Sequence, residues 1–242
     1  MIDIHSHVLP KMDDGSKSRE ESIALLREAY KQGVEAVFST PHFYPKRDDP
    51  EDFLKRRDHS VRSLLSTGDE IFQKLPLYLG AEVAFFYGMS RFEGLPDFCL
   101  GGSEYILIEM PFDKWTSEEV EEVVAVKETA GLIPVLAHVE RYLAFGNKKH
   151  FGYLIARGAV LQSNAEFFIE RRTKRKALSF LKKGLISLLG SDCHNLDRRP
   201  ENYGDAIDVI RSIKRRDPLV SVNETEKRIL AGARPVTIDQ NA

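Results

Sequence analysis

At 242 residues, with 42% hydrophobic and 30% charged side chains, the chain has the composition of a globular protein able to bury a sizeable core. A formal net charge of −2 argues against a general nucleic-acid binder, and two cysteines, Cys99 and Cys193, are too few for a disulfide framework. No basic stretch leads into an apolar run as in a signal peptide, and no apolar window approaches the ~18 residues that cross a bilayer. The expected location is therefore the cytoplasm, with no membrane insertion.

In chain order, short β-rich runs alternate with helical patterns. The first run is Ile2–His5. Ser18-Arg19-Glu20-Glu21 reads as a capping box opening a helix whose apolar face carries Ile23, Leu26 and Tyr30 and which stops at Gly33. A second run, Val34–Thr40, ends in Thr-Pro-His, and a polar helical stretch covers about Pro50 to Gly68. Further runs are Leu77–Glu82, Tyr105–Glu109, Ile133–His138, Val160–Ser163 and Ile186–Ser191. Helices are expected near Ser117–Ala130, Lys148–Arg157, Arg172–Lys183, Asn202–Arg215 and Asn223–Leu230.

No linker or repeat divides the chain, so residues 1–242 read as a single α/β domain. Strands alternating with helices predict a parallel sheet. Seven strand candidates without a Gly-x-Gly-x-x-Gly turn favour a barrel over a doubly wound sheet.

The runs end in His5-Ser-His7, Pro41-His42, Glu82, Glu109, His138-Val-Glu-Arg141, Gln162-Ser-Asn164 and Asp192-Cys-His194. In parallel α/β folds the functional site lies at the C-terminal strand ends. Any one of these residues alone is an ordinary loop or ion-pair group, but five of the seven histidines fall here. Asp14, in the Met-Asp-Asp-Gly loop after the first run, can reach the same rim. Alternate residues of a strand share a face, so His5 and His7 can point to one ion. Nitrogen and oxygen donors without paired cysteines suit Mn, Fe or Zn in a multinuclear site. Such a site is suited to phosphate-ester hydrolysis, and the planar fork of Arg141 to clamping a phosphoryl group.

Three further features compete for a role. Cys193 and Arg199 match the bare Cys-x5-Arg spacing of thiolate phosphatases, but the five residues between them include no glycine to form a phosphate nest. The basic run Arg171–Lys176 is a solvated helix start or a landing surface for an acidic or phosphorylated partner. The aromatic pairs Phe43-Tyr44 and Phe85-Phe86 follow His42 and Glu82 and can wall a substrate pocket.

Taken as an ordered set, Asp3-Ile-His5-Ser-His7, Asp13-Asp14-Gly15, Ser39-Thr-Pro-His42, Gly80-Ala-Glu82, Ile108-Glu109, Ala137-His138-Val-Glu-Arg141-Tyr142 and Ser191-Asp192-Cys-His194-Asn195 resemble the polymerase-and-histidinol-phosphatase (PHP) superfamily. Within it, the chain is similar throughout to the manganese-dependent tyrosine-protein phosphatases of bacterial capsular and exopolysaccharide loci. The resemblance implies a distorted (β/α)7 TIM-like barrel with three divalent ions, manganese foremost, with Fe, Zn or Co as alternatives. His5, His7, Glu82 and Asp192 would hold one ion, Glu82, Glu109 and His138 a second, and Asp14, His42 and His194 a third.

The implied chemistry is direct attack of a metal-bound hydroxide on phosphorus. Arg141, His42 and His194 would be catalytic, and Arg141, Phe43 and Tyr44 would contact substrate. The implied partner is the phosphorylated, tyrosine-rich tail of a membrane-associated tyrosine autokinase controlling polysaccharide synthesis. Hydrolysis of a small phosphomonoester such as histidinol phosphate is the alternative within enzymes; a regulatory binding module with a structural metal site is the alternative outside them.

Overall fold

The computed structural model describes residues 1–213 and 217–237. Its strands are β1 (Ile2–Ser6), β2 (Ala36–Ser39), β3 (His42–Phe43), β4 (Leu77–Leu79), β5 (Glu82–Ala84), β6 (Tyr105–Glu109), β7 (Ile133–Leu136), β8 (Val160–Asn164) and β9 (Leu188–Gly190). All pair in parallel, in the orders β1-β2-β4 and β3-β5-β6-β7-β8-β9. β2 continues into β3 across Thr40-Pro41, and β4 into β5 across Gly80-Ala81, so the nine strands occupy seven positions. Pro41 has no N–H for the ladder, which accounts for the break after the run expected to end at Thr40, whereas the run expected over Leu77–Glu82 passes through the break at Gly80-Ala81. The sheet curls until β9 meets β1: Ser6 bridges Cys193, and the Asp192 amide donates to the His5 carbonyl at 2.8 Å.

Helices α1 (Arg19–Lys31), α2 (Pro50–Leu65), α3 (Ile71–Lys74), α4 (Ser117–Ala130), α5 (Lys148–Ala156), α6 (Glu166–Ile169), α7 (Lys174–Lys182), α8 (Tyr203–Arg211) and α9 (Val220–Gly232) accompany the strands. The α1 capping interaction forms, with Ser18 accepting from the Glu21 amide. A full capping box appears instead at α4, between Thr116 and Glu119. The short helices α3 and α6 lie outside the expected elements, and α7 starts two residues later than the pattern predicts. The end of the helix expected over Asn202–Arg215 falls outside the described residues. No helix among the described residues is long and apolar enough to cross a membrane.

Strand parity sorts the core into two layers and places the site. Ile4, Phe38, Leu107, Val135 and Leu188 form the inner cluster, while Val37, Phe43, Val83, Ile106, Ile108 and Leu189 pack outward against the helices. Successive strand residues face opposite ways. His42, Glu82 and Glu109 each neighbour an outward residue and so face inward, above the inner cluster.

Candidate metal centre

The side chains predicted at the strand ends converge at the C-terminal mouth of the barrel. His5 Nε2 and His7 Nε2 lie 3.2 Å apart; both approach Glu82 Oε2, at 3.3 and 3.4 Å, and both lie 3.5 Å from Asp192 Oδ1. Ligand atoms about 2.1 Å from a shared ion in tetrahedral array stand ~3.4 Å from one another. Five of the six distances among these four atoms therefore match the edges of a coordination shell. Around them, His138 Nε2 lies 2.7 Å from Glu82 Oε1 and 3.4 Å from Glu109 Oε1. Asp14 Oδ1 lies 3.6 Å from His42 Nε2 and 3.4 Å from His194 Nε2.

Local backbone explains how they meet. His42 and Glu82 are direct register partners of β3 and β5. The β1 ladder slips between Asp3 and Ser6, a bulge that re-aims the residues around it. His138 and Asp192 adopt left-handed φ angles of 32° and 54°, conformations that non-glycine residues hold only where their surroundings enforce them. Gly190 is required by close approach: a Cβ there would stand 2.5 Å from the His5 Cβ. Gly15 faces the same limit, since its Cβ would stand 2.4 Å from the His7 carbonyl oxygen.

Outer partners fix which nitrogen each ring presents. His7 Nδ1 donates to Asp13 Oδ2 at 2.7 Å, His5 Nδ1 to Gln162 Oε1 at 3.2 Å, and His194 Nδ1 to the Asp192 carbonyl at 3.0 Å. Each leaves Nε2 as the ring nitrogen turned toward the cluster, the arrangement by which a second shell orients metal-binding imidazoles. Glu82 Oε2 and Asp192 Oδ1 are buried without hydrogen-bond partners. His42 Nδ1 comes within 2.9 Å of Glu82 Oε2, yet the approach is misdirected for a hydrogen bond. Burial of such acceptors without partners is costly unless a cation satisfies them.

The electrostatics point the same way. Burial works to raise the carboxyls of Glu82 and Asp192, but the neighbouring His5 and other cations hold both well below the usual range. Burial works against charging His138, yet hydrogen bonds to Glu109 and Glu82 push it up to about 9. His7 is likewise raised against its burial, by Asp13. His194 goes the other way, down to about 3, through burial and the charge of His7. The carboxylates recruit positive charge from protons and arginines, and divalent cations displace such protons when they bind. Donor set, spacing and charge all fit divalent metal ions.

Two arginines border the cluster. Arg141 Nη2 donates to Asp192 Oδ2 at 2.6 Å, and Arg199 Nη2 forms an ion pair with the same oxygen at 2.5 Å. Arg199 Nη1 also donates to His194 Nε2 at 2.7 Å, covering the lone pair a metal would use there. Arg199 thus belongs to this rim, although sequence spacing alone tied it only to an unconvincing thiolate motif. Asp13, Gln162 and Asn164, which donates to Asp192 Oδ2 at 2.7 Å, are likewise residues to which sequence reasoning gave no role. Asp13 stood in the Asp-Asp-Gly motif and Gln162 and Asn164 at a strand end; only the fold shows what they touch.

The aromatic expectations divide. Phe43 does not line the site. It faces outward from β3 and packs against Phe53 and Phe98 in the core, because strand alternation turns it away from His42. Phe85 and Phe86 are partly buried against the same core. Tyr44 stacks on His42 with ring centroids 5.1 Å apart, and Phe112, which no motif marked, stacks on His138 at 5.7 Å and is 47% exposed.

Cys193 is buried, and burial pushes its thiol well above the ordinary value, the opposite of a thiolate nucleophile. The Cys193→Ser variant is expected to retain phosphatase activity within about tenfold of wild type. A loss of several orders of magnitude in steady-state assays would restore the thiolate mechanism.

The family model for capsular polysaccharide synthesis, CpsB/CapC, matches residues 1–222. The tyrosine-protein phosphatase CpsB of Streptococcus pneumoniae is 37% identical over 224 residues, covering 87% of this chain and 89% of the relative. The tyrosine-protein phosphatase YwqE of Bacillus subtilis is 30% identical over 220 residues, covering 87% and 84%. Among solved structures, one described as YwqE from B. subtilis and CpsB from S. pneumoniae, unique metal-dependent tyrosine phosphatases, superposes with a TM-score of 0.82 at 26% identity. That match covers 98% of this chain and 100% of the other.

Proposed function

We propose, from the premise that this chain belongs to the CpsB/CapC family of capsular polysaccharide synthesis, how its strand-end cluster works as a metal-dependent protein-tyrosine phosphatase. Its substrate in this reading is phosphotyrosine in the tail of a membrane-associated tyrosine autokinase, and its cofactor a set of three divalent ions, Mn²⁺ foremost. The observation that carries the reading is the nest of His5, His7, Glu82 and Asp192 donor atoms at ligand-edge spacing, with two arginines and two aromatic rings at its rim.

Bound there, divalent ions lower the pKa of water and offset charge on phosphoryl oxygens. His5, His7, Glu82 and Asp192 would hold one ion, Glu82 with Glu109 and His138 a second, and Asp14, His42 and His194 a third. The chain's part is to hold these groups in place and orient the ester. Asp13 and Gln162 keep the His7 and His5 rings turned with Nε2 inward. Arg141, a third exposed, can release Asp192 Oδ2 and meet two phosphoryl oxygens with its fork. Arg199, equally exposed, can leave His194 Nε2 in the same way.

The aromatic rim favours an aryl ester. His42 and His138 both contact the Glu82 carboxylate, and Tyr44 and Phe112 stack on those two rings. A phenyl ring bound against either of them gains face and edge contacts that an alkyl phosphate cannot make.

The test is metal content of the purified protein together with kcat/KM on a phosphotyrosine peptide and on histidinol phosphate. Three divalent ions per chain and a peptide preference of at least about 100-fold are expected. Preference for histidinol phosphate would overturn the tyrosine-phosphatase reading, and tight metal binding with no turnover would make the chain a binding module.

A further inference from the structure

The segment Glu170-Arg-Arg-Thr-Lys-Arg-Lys176 is the densest basic run in the chain, and the metal centre makes no use of it. Arg171, Arg172, Arg175 and Lys176 are exposed and Lys174 is half-buried. Some surface cations elsewhere meet acids, as Lys55 does Glu51, Arg56 does Asp48 and Lys74 does Glu70, but nowhere else do five stand within six residues. No described carboxylate lies within ion-pair distance of any of the five cations of this run. In a chain of net charge −2 this is a local segregation of positive charge.

The run is also ill-suited to the helix it begins. Helices α1, α2 and α4 have acids in their first turns and a side chain capping their amides. The first turn of α7 instead carries Lys174, Arg175 and Lys176 and no acid. Its N-cap Thr173 gives its hydroxyl to the Phe167 carbonyl rather than accepting from an amide. Cations at the positive end of a helix dipole oppose helix formation, a cost that α7 bears with three cations and α5 with Lys148 and Lys149.

Topology places the run beside the active centre. β8 ends at Asn164, whose side chain holds Asp192, and only the four-residue α6 separates that strand from the run. In a parallel barrel every strand-to-helix connection lies at the C-terminal edge of the sheet, so the chain leaves β8 for α6 and then the basic run at the edge that carries the ligands. A small cavity runs from Arg141 and Asp192 past Arg198 and Arg199 to Glu166 of α6, linking the centre to this side of the rim.

We propose that Arg171–Lys176 is a docking surface for the acidic stretch of the substrate polypeptide itself, whether carboxylates or further phosphotyrosines, on the same chain as the phosphotyrosine in the metal centre. The proposal rests on the phosphotyrosine reading above and adds to it a second, charge-selective contact. Five unpaired cations complement a segment carrying several dianionic phosphates, and such contacts act mainly on encounter and KM. A polypeptide is favoured over an anionic bilayer because a membrane lying on this rim would cover the mouth of the site. The run also carries none of the exposed large apolar side chains that insert at a bilayer surface.

The experiment compares wild type with the quadruple variant Arg171→Gln, Arg172→Gln, Arg175→Gln, Lys176→Gln. The substrates are p-nitrophenyl phosphate, a neutral peptide with one phosphotyrosine, and a peptide with three phosphotyrosines. At low salt the variant is expected to raise KM for the triply phosphorylated peptide about tenfold, at unchanged kcat, with the other two substrates unaffected. Raising salt should weaken wild type on that peptide and leave the variant nearly flat. A charge-preserving variant, Arg171→Lys with Arg172→Lys and Arg175→Lys, should keep the wild-type KM, which separates charge from loss of local structure.

Equal KM for variant and wild type on the triply phosphorylated peptide overturns the proposal, as does an equal loss on p-nitrophenyl phosphate. So does a variant that loses only binding to phosphatidylglycerol vesicles while its peptide kinetics stay unchanged. Wild-type turnover of the neutral peptide tests the phosphatase reading separately; without it both fall.

Discussion

The Glu82→Gln variant is expected to lose at least about 10³-fold in phosphatase kcat/KM and to purify with fewer divalent ions than wild type. No other carboxylate of the cluster faces so many imidazoles. Its Oε1 meets His138, and its Oε2 faces His5, His7 and His42. Both oxygens are buried, and the carboxyl is held ionised by the imidazoles around it despite its burial. An amide has nearly the same shape but no charge, and it turns an N–H₂ donor toward nitrogens or cations that need an acceptor. Binding to the native state alone raises thermal stability by mass action, so the rise in Tm on adding Mn²⁺ should shrink with the lost affinity. Elemental analysis and calorimetry therefore test the assignment independently of turnover. Wild-type metal content and an unchanged Mn²⁺-dependent Tm shift would show that Glu82 is not a ligand.

Arg141→Ala is expected to lower kcat by roughly 10²–10³ while leaving metal content unchanged, the cost of removing one donor aimed at developing charge. Arg141 sits at the rim, a third exposed, and shares Asp192 Oδ2 with Arg199. That sharing limits the loss, because Arg199 remains to meet part of the phosphoryl charge. Arg141→Lys should recover only a fraction, since an ammonium offers a point charge in place of a two-pronged fork. A change confined to KM would make Arg141 a binding residue only, and a fall in kcat of less than about tenfold would remove it from the catalytic machinery.

The alternation of strands and helices was readable from periodicity because each strand is short, apolar and followed by a helix with its own stop signal. Seven strand positions were counted correctly, although the second and third are each split in two by Pro41 and by Gly80-Ala81. Strand parity was the weaker guide. It reads Phe43 as a neighbour of His42 in sequence, whereas the same alternation, once the inward face is known, sends Phe43 into the core beside Phe53. Phe112 shows the converse. It stands in a loop without periodicity, and only the chain path that brings β6 and β7 together lays its ring on His138.

By itself the sequence determined the chemical inventory of the site: which strands end in imidazoles and carboxylates, and that paired cysteines have no part in it. Those are properties of residue type and local spacing, which a linear chain carries intact. Tertiary structure alone decided which oxygen faces which nitrogen, how Asp13 and Gln162 turn the rings, and that Arg199 shares an oxygen with Arg141. It also decided that the basic run opens α7, directly after the strand that ends at Asn164 and the short α6. These are distances between residues far apart in the chain, set by sheet closure, the slip in β1 and the left-handed turns at His138 and Asp192. Local sequence encodes the tendency to form a strand, but it does not encode where that strand's end comes to rest against six others.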